Sequence, residues 1–465
     1  MRKTVLLFFL CASVAFTYAQ MTFTLKGLNY ADCIATNPAD GSTTITLPAG
    51  TNLSDLITEV KIDGVTVDAS RISPNPTTTN LAYDELEVFV YDNKAYGFRF
   101  TEDVWFTAVF ISDCHTNQNS GHDGTSQDNL ASIMQNICKM GKDGNKKVSF
   151  TTEGATNLVP KTSIIFCLGD IDQDKGDDGK SGKHEEFLEA TAEVAKDAGI
   201  PFIFIAGNHD LSPDYWDNGT DKGVTYGSNG GSHADDQTIS AITANNTYWN
   251  GMGVFDENIE YFIDNDRTNC FQTKPFTFKF KGVRFYCAHT YWFQKLYSKP
   301  GLLSNATYYA PDGVISALNT FVESHADEPS VWMQHYPFLA GSDCNRWWLD
   351  QNNAGNYITS SNTSIYGSST SGIALNDEAS ANTLKKNPIS AIMAKTAGKV
   401  DGKVQHFSGH YHLFNDRTYT NTTNNAIMVR DFTVAAPGNT SQNNNAYVVL
   451  FKRGEGVKEV IQAQF

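Results

Sequence analysis

The sequence predicts an α/β protein: a layered β-sandwich domain flanked by helices, preceded by a small all-β sandwich. Two patterns predict it. From about Gln20 to Phe100 the apolar residues alternate in short runs broken by turn residues, with no helical period. From Trp105 onward, continuous apolar runs of strand length alternate with stretches whose apolar residues recur every three or four positions. The length of 465 residues suits about three average domains or two larger ones.

In chain order, residues 1–19 read as an export signal. Met1-Arg2-Lys3 is basic, Thr4 to Ala15 is apolar, and Thr17-Tyr18-Ala19 ends in a residue suited to cleavage. The apolar run is short for a membrane span of about 20 residues, and no later stretch has a span's length or purity. The expected mature protein is therefore secreted, periplasmic or surface-exposed, with no membrane span after signal removal. Residues 20–100 carry runs such as STTITLPAG, EVKIDGVTV and LEVFVYDNKAYGFRF, which read as a β-sandwich. Its expected role is a spacer or packing module, with carbohydrate or surface binding as the alternative.

Residues 101–465 form the second expected domain. Phe106 to Ser112, Ser163 to Leu168 and Pro201 to Ile205 read as buried strands. Between them, Leu130, Ile133, Met134, Ile137 and Cys138 mark one helix, and Phe187, Leu188, Thr191, Val194 and Ala195 another. Later strands are expected around Phe285, Trp332 and Phe407, with a helical stripe at Val314, Ile315, Leu318, Phe321 and Val322. The end of the chain reads as a hairpin around Gly454-Glu455-Gly456. Trp216 to Asn246 and Gly341 to Thr383 are rich in small polar residues and read as cleft-lining insertions.

Composition narrows the function. Hydrophobic residues make up 40% of the chain, which excludes a disordered protein. The formal net charge of −16 argues against binding nucleic-acid polymers, since that affinity comes from Lys and Arg. An anionic substrate then needs a local cation, and a bound metal supplies one. Cys11 leaves with the signal. Cys114, Cys167 and Cys287 lie in apolar runs and read as buried thiols, whereas Cys33, Cys138, Cys270 and Cys344 are the residues able to pair.

Five apolar strands end in residues of ligand type. Phe106 to Ser112 is followed by Asp113-Cys114-His115, and Ser163 to Leu168 by Gly169-Asp170. The strand ending at Ile205 leads to Gly207-Asn208-His209-Asp210. The last two end in His335 and in Gly409-His410-Tyr411-His412. The carboxyl ends of strands form the ligand crevice of open α/β sheets. In an extended chain, residues two apart point the same way, so Asp113 with His115, and His410 with His412, can each face one ion while Cys114 turns to the core. Gly207 and Gly409 are expected to let the backbone turn sharply. Mixed carboxylate, imidazole and amide donors suit Mn, Fe, Zn or Co. His289 also ends a strand and reads as a core or supporting histidine, with lining of the site as the alternative.

The ordered set D-x-H, G-D, G-N-H-D, lone His and G-H-x-H resembles the calcineurin-like metallophosphoesterase superfamily from roughly Trp105 to the C-terminus. The resemblance implies that domain's layered sandwich and two metal ions. Asp113, His115, Asp170 and His412 would hold the first; Asp170, bridging, with Asn208, His335 and His410 would hold the second. It also implies in-line attack on phosphorus by a metal-bridging hydroxide. His209 would stabilise the developing charge or protonate the leaving oxygen, and Asp210 would orient His209. Gln173 stands where many members carry an acid, with Lys175 the nearest cation. The purple acid phosphatase branch has a glycine at the position of His115 and a tyrosine at that of Gln173, and this chain has neither. The motif forms look more like the branch of cyclic-nucleotide and glycerophosphodiester phosphodiesterases. The resulting expectation is an exported enzyme acting on a small phosphodiester. The alternatives are a phosphomonoesterase using the same site, and a surface binding protein with a vestigial phosphoesterase domain.

Overall fold

The computed structural model describes residues 20–36, 42–48, 51–83, 85–116, 124–141, 148–156, 158–171, 183–207, 210, 233–262, 275–289, 312–335, 373–374, 395–396, 404–420, 428–438 and 444–465. The expected signal segment, Asn208, His209, Gln173, Lys175, Cys270, Cys344 and all of Gly341 to Thr383 but residues 373–374 lie outside that set. The chain divides into two compact units, residues 1–102 and 103–465.

The first unit carries β1 (Met21–Leu25), α1 (Tyr30–Cys33), β2 (Ile34–Thr36), β3 (Thr43–Leu47), β4 (Ile57–Ile62), β5 (Val65–Val67), β6 (Leu86–Tyr91) and β7 (Lys94–Glu102). They form two sheets, in the orders β1-β4-β5 and β2-β3-β7-β6. Two tight hairpins set the register. Ile62 pairs with Val65 across Asp63-Gly64, and Tyr91 with Lys94 across Asp92-Asn93. All four turn residues have positive φ, the backbone that matches the twist of the flanking strands. The core is aromatic: Phe23, Phe89, Phe98 and Phe100 are buried with Ile45 and Val60. Cys33 is a half-buried thiol.

The second unit is mixed α/β, with several sheets and few helices among the described residues. Its first strands are β8 (Trp105–Ile111), β9 (Thr162–Cys167), β10 (Phe202–Phe204), β11 (Glu257–Tyr261), β12 (Phe276–Phe280), β13 (Val283–Ala288) and β14 (Ser330–Gln334). The rest are β15 (Ile373–Ala374), β16 (Val404–Ser408), β17 (Asn415–Thr420), β18 (Met428–Thr433), β19 (Ala446–Lys452) and β20 (Gly456–Ala463). The helices are α2 (Gln127–Cys138), α3 (Lys183–Leu188), α4 (Val194–Asp197), α5 (His233–Gly251) and α6 (Asp312–Ser324).

Five strands form one sheet, in the order β10-β9-β8-β19-β20; eight form another, β11-β12-β13-β14-β16-β18-β17-β15. Strands β8, β9 and β10 run parallel, as do β13, β14, β16 and β18. Side-chain alternation explains how both faces of the five-stranded sheet are buried. Ala108, Phe110, Ile164 and Phe166 join Phe285, Met333 and Phe407 of the eight-stranded sheet in one core. The Phe110 and Phe407 rings stack 4.1 Å apart across it. Val109, Ile111, Ile165 and Cys167 face the other way and pack on Leu130, Met134 and Ile137 of α2. Ser126 caps α2, its hydroxyl accepting from the Asn129 N–H.

One segment departs from the sequence reading. Residues within Trp216 to Asn246 were expected as an insertion, but His233–Gly251 form α5. Ile242 and Trp249 are buried, and so are Thr238, Asn245 and Asn246. Asn245 donates to the Phe202 carbonyl of β10 at 2.7 Å, and Asn246 to the Tyr261 hydroxyl at 2.8 Å. Polar residues thus occupy core positions and hide the helical stripe. No helix of the described residues is long and apolar enough to cross a membrane.

Candidate metal centre

The carboxyl ends of β8, β9, β14 and β16 converge. Asp113 and His115 follow β8, Asp170 follows β9, His335 follows β14, and His410 and His412 follow β16. Beyond the strands, the backbone keeps its pairing. The N–H groups of Asp113, His115 and Thr116 donate to the carbonyls of Gly169, Asp170 and Ile171 at 2.9, 3.0 and 3.1 Å. These bonds hold the D-x-H segment against the G-D segment.

The segment is not extended, as the sequence reading took it to be. Asp113, His115, Asp170, His410 and His412 all have positive φ, from 39° to 75°. Non-glycine residues in that region cost on the order of 1–3 kcal/mol each and persist where the surroundings over-determine them. Left-handed bends, not strand alternation, aim these side chains. The expectation for Gly207 and Gly409 changes as well. Neither has positive φ; both are needed for space. A Cβ at Gly207 would overlap the Asp170 carboxylate and backbone, and one at Gly409 would overlap the Ser112 hydroxyl and come within 2.7 Å of the Asp113 carboxylate. Gly169 combines a φ of 99° with close approach to Gly207. The sequence reading gave Gly169 no role; the G-D dipeptide was its only signal.

Two triads result. Asp113, His115 and His412 each aim one ligand atom into a common space, as do Asp170, His335 and His410, with all atoms of a triad within 4.8 Å of one another. In the first, His115 Nε2 lies 3.2 Å from His412 Nε2, and His412 Nε2 3.4 Å from Asp113 Oδ1. In the second, His335 Nε2 lies 3.0 Å from Asp170 Oδ2, which is also 3.9 Å from His115 Nε2. Asp170 therefore stands between the triads. Asp113, His115, Asp170 and His335 are buried, while His410 and His412 are partly buried.

Supporting contacts fix each donor. His335 Nδ1 lies 2.8 Å from the Leu168 carbonyl, which only accepts; Nδ1 therefore carries a proton and Nε2 faces Asp170. The His410 N–H reaches both oxygens of Asp113, at 3.0 and 2.9 Å. Asp210, expected to orient His209, binds two backbone amides. Its Oδ1 accepts from Ile171 N–H at 2.9 Å and its Oδ2 from Gly207 N–H at 2.7 Å, clasping the ends of β9 and β10. Asn208 and His209 are outside the described residues, so their side chains are not placed.

Burial alone would raise the Asp113 carboxyl, but the His412 hydrogen bond and the charge on His335 hold it below its ordinary value. Burial disfavours charge on His335, yet the Asp170 carboxylate outweighs it and lifts this pKa to about 9. For His410, burial and then the His335 charge push the value down to about 3. Without an ion, a proton on His335 thus balances the carboxylates. Cys114 is held protonated by its hydrogen bond to Cys167 and by burial, so this thiol adds no thiolate to the donor set. Carboxylate oxygens and imidazole nitrogens converging on two spaces fit borderline divalent ions.

A family model described as calcineurin-like phosphoesterase matches residues 106–414, about two thirds of the chain. Every candidate site residue falls inside that stretch. No curated protein matches the chain. Among solved structures, one titled "GAP50 the anchor in the inner membrane complex of Plasmodium" is similar at 11% identity, over 78% of this chain and 90% of that chain, with a TM-score of 0.30.

Proposed function

This chain belongs to the calcineurin-like phosphoesterase family, and from that premise we propose that it is an exported, dinuclear-metal phosphodiesterase acting on a small phosphodiester. Family membership makes it a metal-dependent phosphoric ester hydrolase. The observation that carries the dinuclear reading is the pair of triads with Asp170 Oδ2 between them. Asp113, His115, Asp170 and His412 would hold one ion; Asp170, Asn208, His335 and His410 would hold the other. Bound ions would supply positive charge to the phosphate oxygens and make a water acidic enough to react near neutral pH.

The remaining work falls to the chain's own residues. His209, next to Asn208, is the candidate to hold a proton at the leaving oxygen, a contribution typically worth about 10²–10⁴-fold. Asp210 holds the Gly207 amide, directly before both in the chain. The choice of a diester rests on charge. No Lys or Arg lies within four positions along the chain of any of the seven proposed ligands. A monoester dianion asks for such cations more than a diester monoanion does. Export is supported by the signal-like character of residues 1–19.

The test is a paired assay on the chain from Gln20 onward, loaded with Mn²⁺, using bis(p-nitrophenyl) phosphate and p-nitrophenyl phosphate. Chelator-sensitive turnover favouring the diester, lost in His209→Ala, is expected. Preference for the monoester would replace the diesterase reading by the phosphatase one. Absence of turnover of both esters with Mn, Zn, Fe and Co would overturn catalysis of small esters.

A further inference from the structure

Besides the contacts among the ligand side chains, three ties that use a backbone group cross, among the described residues, from the eight-stranded sheet to the five-stranded one at the site. Two involve proposed ligands: His335 on the Leu168 carbonyl, and the His410 N–H on Asp113. The third does not. His289 directly follows β13 and is 2% exposed. Its Nδ1 accepts the Ala206 N–H at 3.1 Å.

The geometry explains why that bond is needed. Among the described residues, β10 is an edge strand. The Ile205 N–H points into the sheet and donates to Cys167 at 3.0 Å. The next N–H, on Ala206, points out of the sheet, and Ala206 is fully buried. A buried N–H needs an acceptor, and among the described residues no strand lies on that side to provide one. The following N–H, on Gly207, is taken by Asp210. His289 and Asp210 thus grip the consecutive amides of Ala206 and Gly207, directly before Asn208 and His209 in the chain.

We infer that His289 is a positioning residue for this phosphoesterase: its Nδ1 anchors the Ala206 amide and so sets the backbone directly before Asn208 and His209. The inference rests on the proposed roles of those two residues. Burial lowers the His289 pKa to about 3, so the ring stays neutral and its Nδ1 lone pair stays available. The Phe276 ring packs beside the imidazole, tilted, with the ring centres 5.7 Å apart.

The test compares His289→Asn, whose amide oxygen can replace Nδ1, with His289→Leu, which keeps bulk and loses the acceptor. In the metal-free full chain, hydrogen exchange of the peptide containing Ala206 should speed up at least about tenfold in His289→Leu and stay near wild type in His289→Asn. In the Mn²⁺-loaded protein, kcat on bis(p-nitrophenyl) phosphate should fall by about 10–100-fold in His289→Leu, with KM little changed, and recover in His289→Asn. Wild-type exchange and kcat in His289→Leu would overturn the inference, as would equal loss in both variants with the fold intact. Should His289→Leu fail to fold, His289→Gln takes its place. Its oxygen lies nearer the position of Nε2, so Gln performing as well as Asn would overturn the inference. The exchange readout needs no turnover. An inactive wild type would therefore sink the proposed function without deciding this inference.

Discussion

The two sheets of the second unit bring different chemistry to the same edge. Among the described residues, the five-stranded sheet supplies the carboxylates Asp113, Asp170 and Asp210 with one imidazole, His115. The eight-stranded sheet supplies only imidazoles: His289, His335, His410 and His412. The anionic side is buried and locked by backbone rungs from Asp113, His115 and Thr116. The imidazole side is registered against it through side chains, with the His410 N–H resting on the Asp113 carboxylate. Neither edge is a metal site alone. One would crowd like charges, and the other would offer only neutral bases. Stacking the sheets through Phe110 and Phe407 creates the mixed donor set.

The largest expected effect comes from removing charge on the anionic side. Asp170→Asn keeps the shape but removes the charge that stands between the triads. Metal content after gel filtration should fall for both ions, and kcat/KM by more than about 10³-fold, since a bound ion is worth several kcal/mol in the transition state. His412→Asn, on the imidazole side, should lose one ion and keep the other. Equal metal content in Asp170→Asn and wild type would remove Asp170 from the shared position.

Next in size are two glycine substitutions, one per sheet. Gly207→Ala drives a Cβ into Asp170, and Gly409→Ala drives one into Ser112 and toward Asp113. A displacement of about 1 Å at a reacting group can cost about 10²-fold. Both variants should therefore lose about that much kcat. Gly207→Ala should weaken both ions and Gly409→Ala mainly one, as metal titration would read. Wild-type activity in either would mean the strand ends yield more than their packing suggests.

These contrasts also mark what the sequence could reveal. The strand ends were legible because an apolar run that stops at Asp or His leaves a sharp signature. The stripe of α2 was legible because all five of its marked positions are buried. The helix α5 was not, because Thr238, Asn245 and Asn246 take core positions, where the two asparagine amides donate to the Phe202 carbonyl and the Tyr261 hydroxyl. The left-handed bends at Asp113 and His115 were hidden for another reason. Asp and His are enriched among the few non-glycine residues that adopt that region, but only a few per cent of non-glycine residues do so, and the residue type alone does not mark which ones. The space requirement at Gly207 and Gly409 depends on atoms from another strand, so the sequence reading mistook it for a turn requirement.

The smallest expected effect is on stability, and it separates the two edges by pH. The His335 pKa is raised from 6.5 to about 9 in the folded protein. Its contribution is therefore fully present below pH 6.5 and is lost as the pH climbs through 9. His410 and His289 are lowered from 6.5 to about 3, so the unfolded chain binds their protons first and stability falls as the pH drops from 6.5 toward 3. In chelator, these three imidazoles should give a Tm that is highest near pH 6.5 and declines on both sides. His335→Gln should flatten the alkaline limb and leave the acid limb in place. Mn²⁺ should also abolish the alkaline decline, because an ion takes over from the His335 proton in balancing the carboxylates and binds more tightly as ligand protons leave. An alkaline limb that survives both His335→Gln and Mn²⁺ would mean that the charge balance between the two sheets does not run through His335.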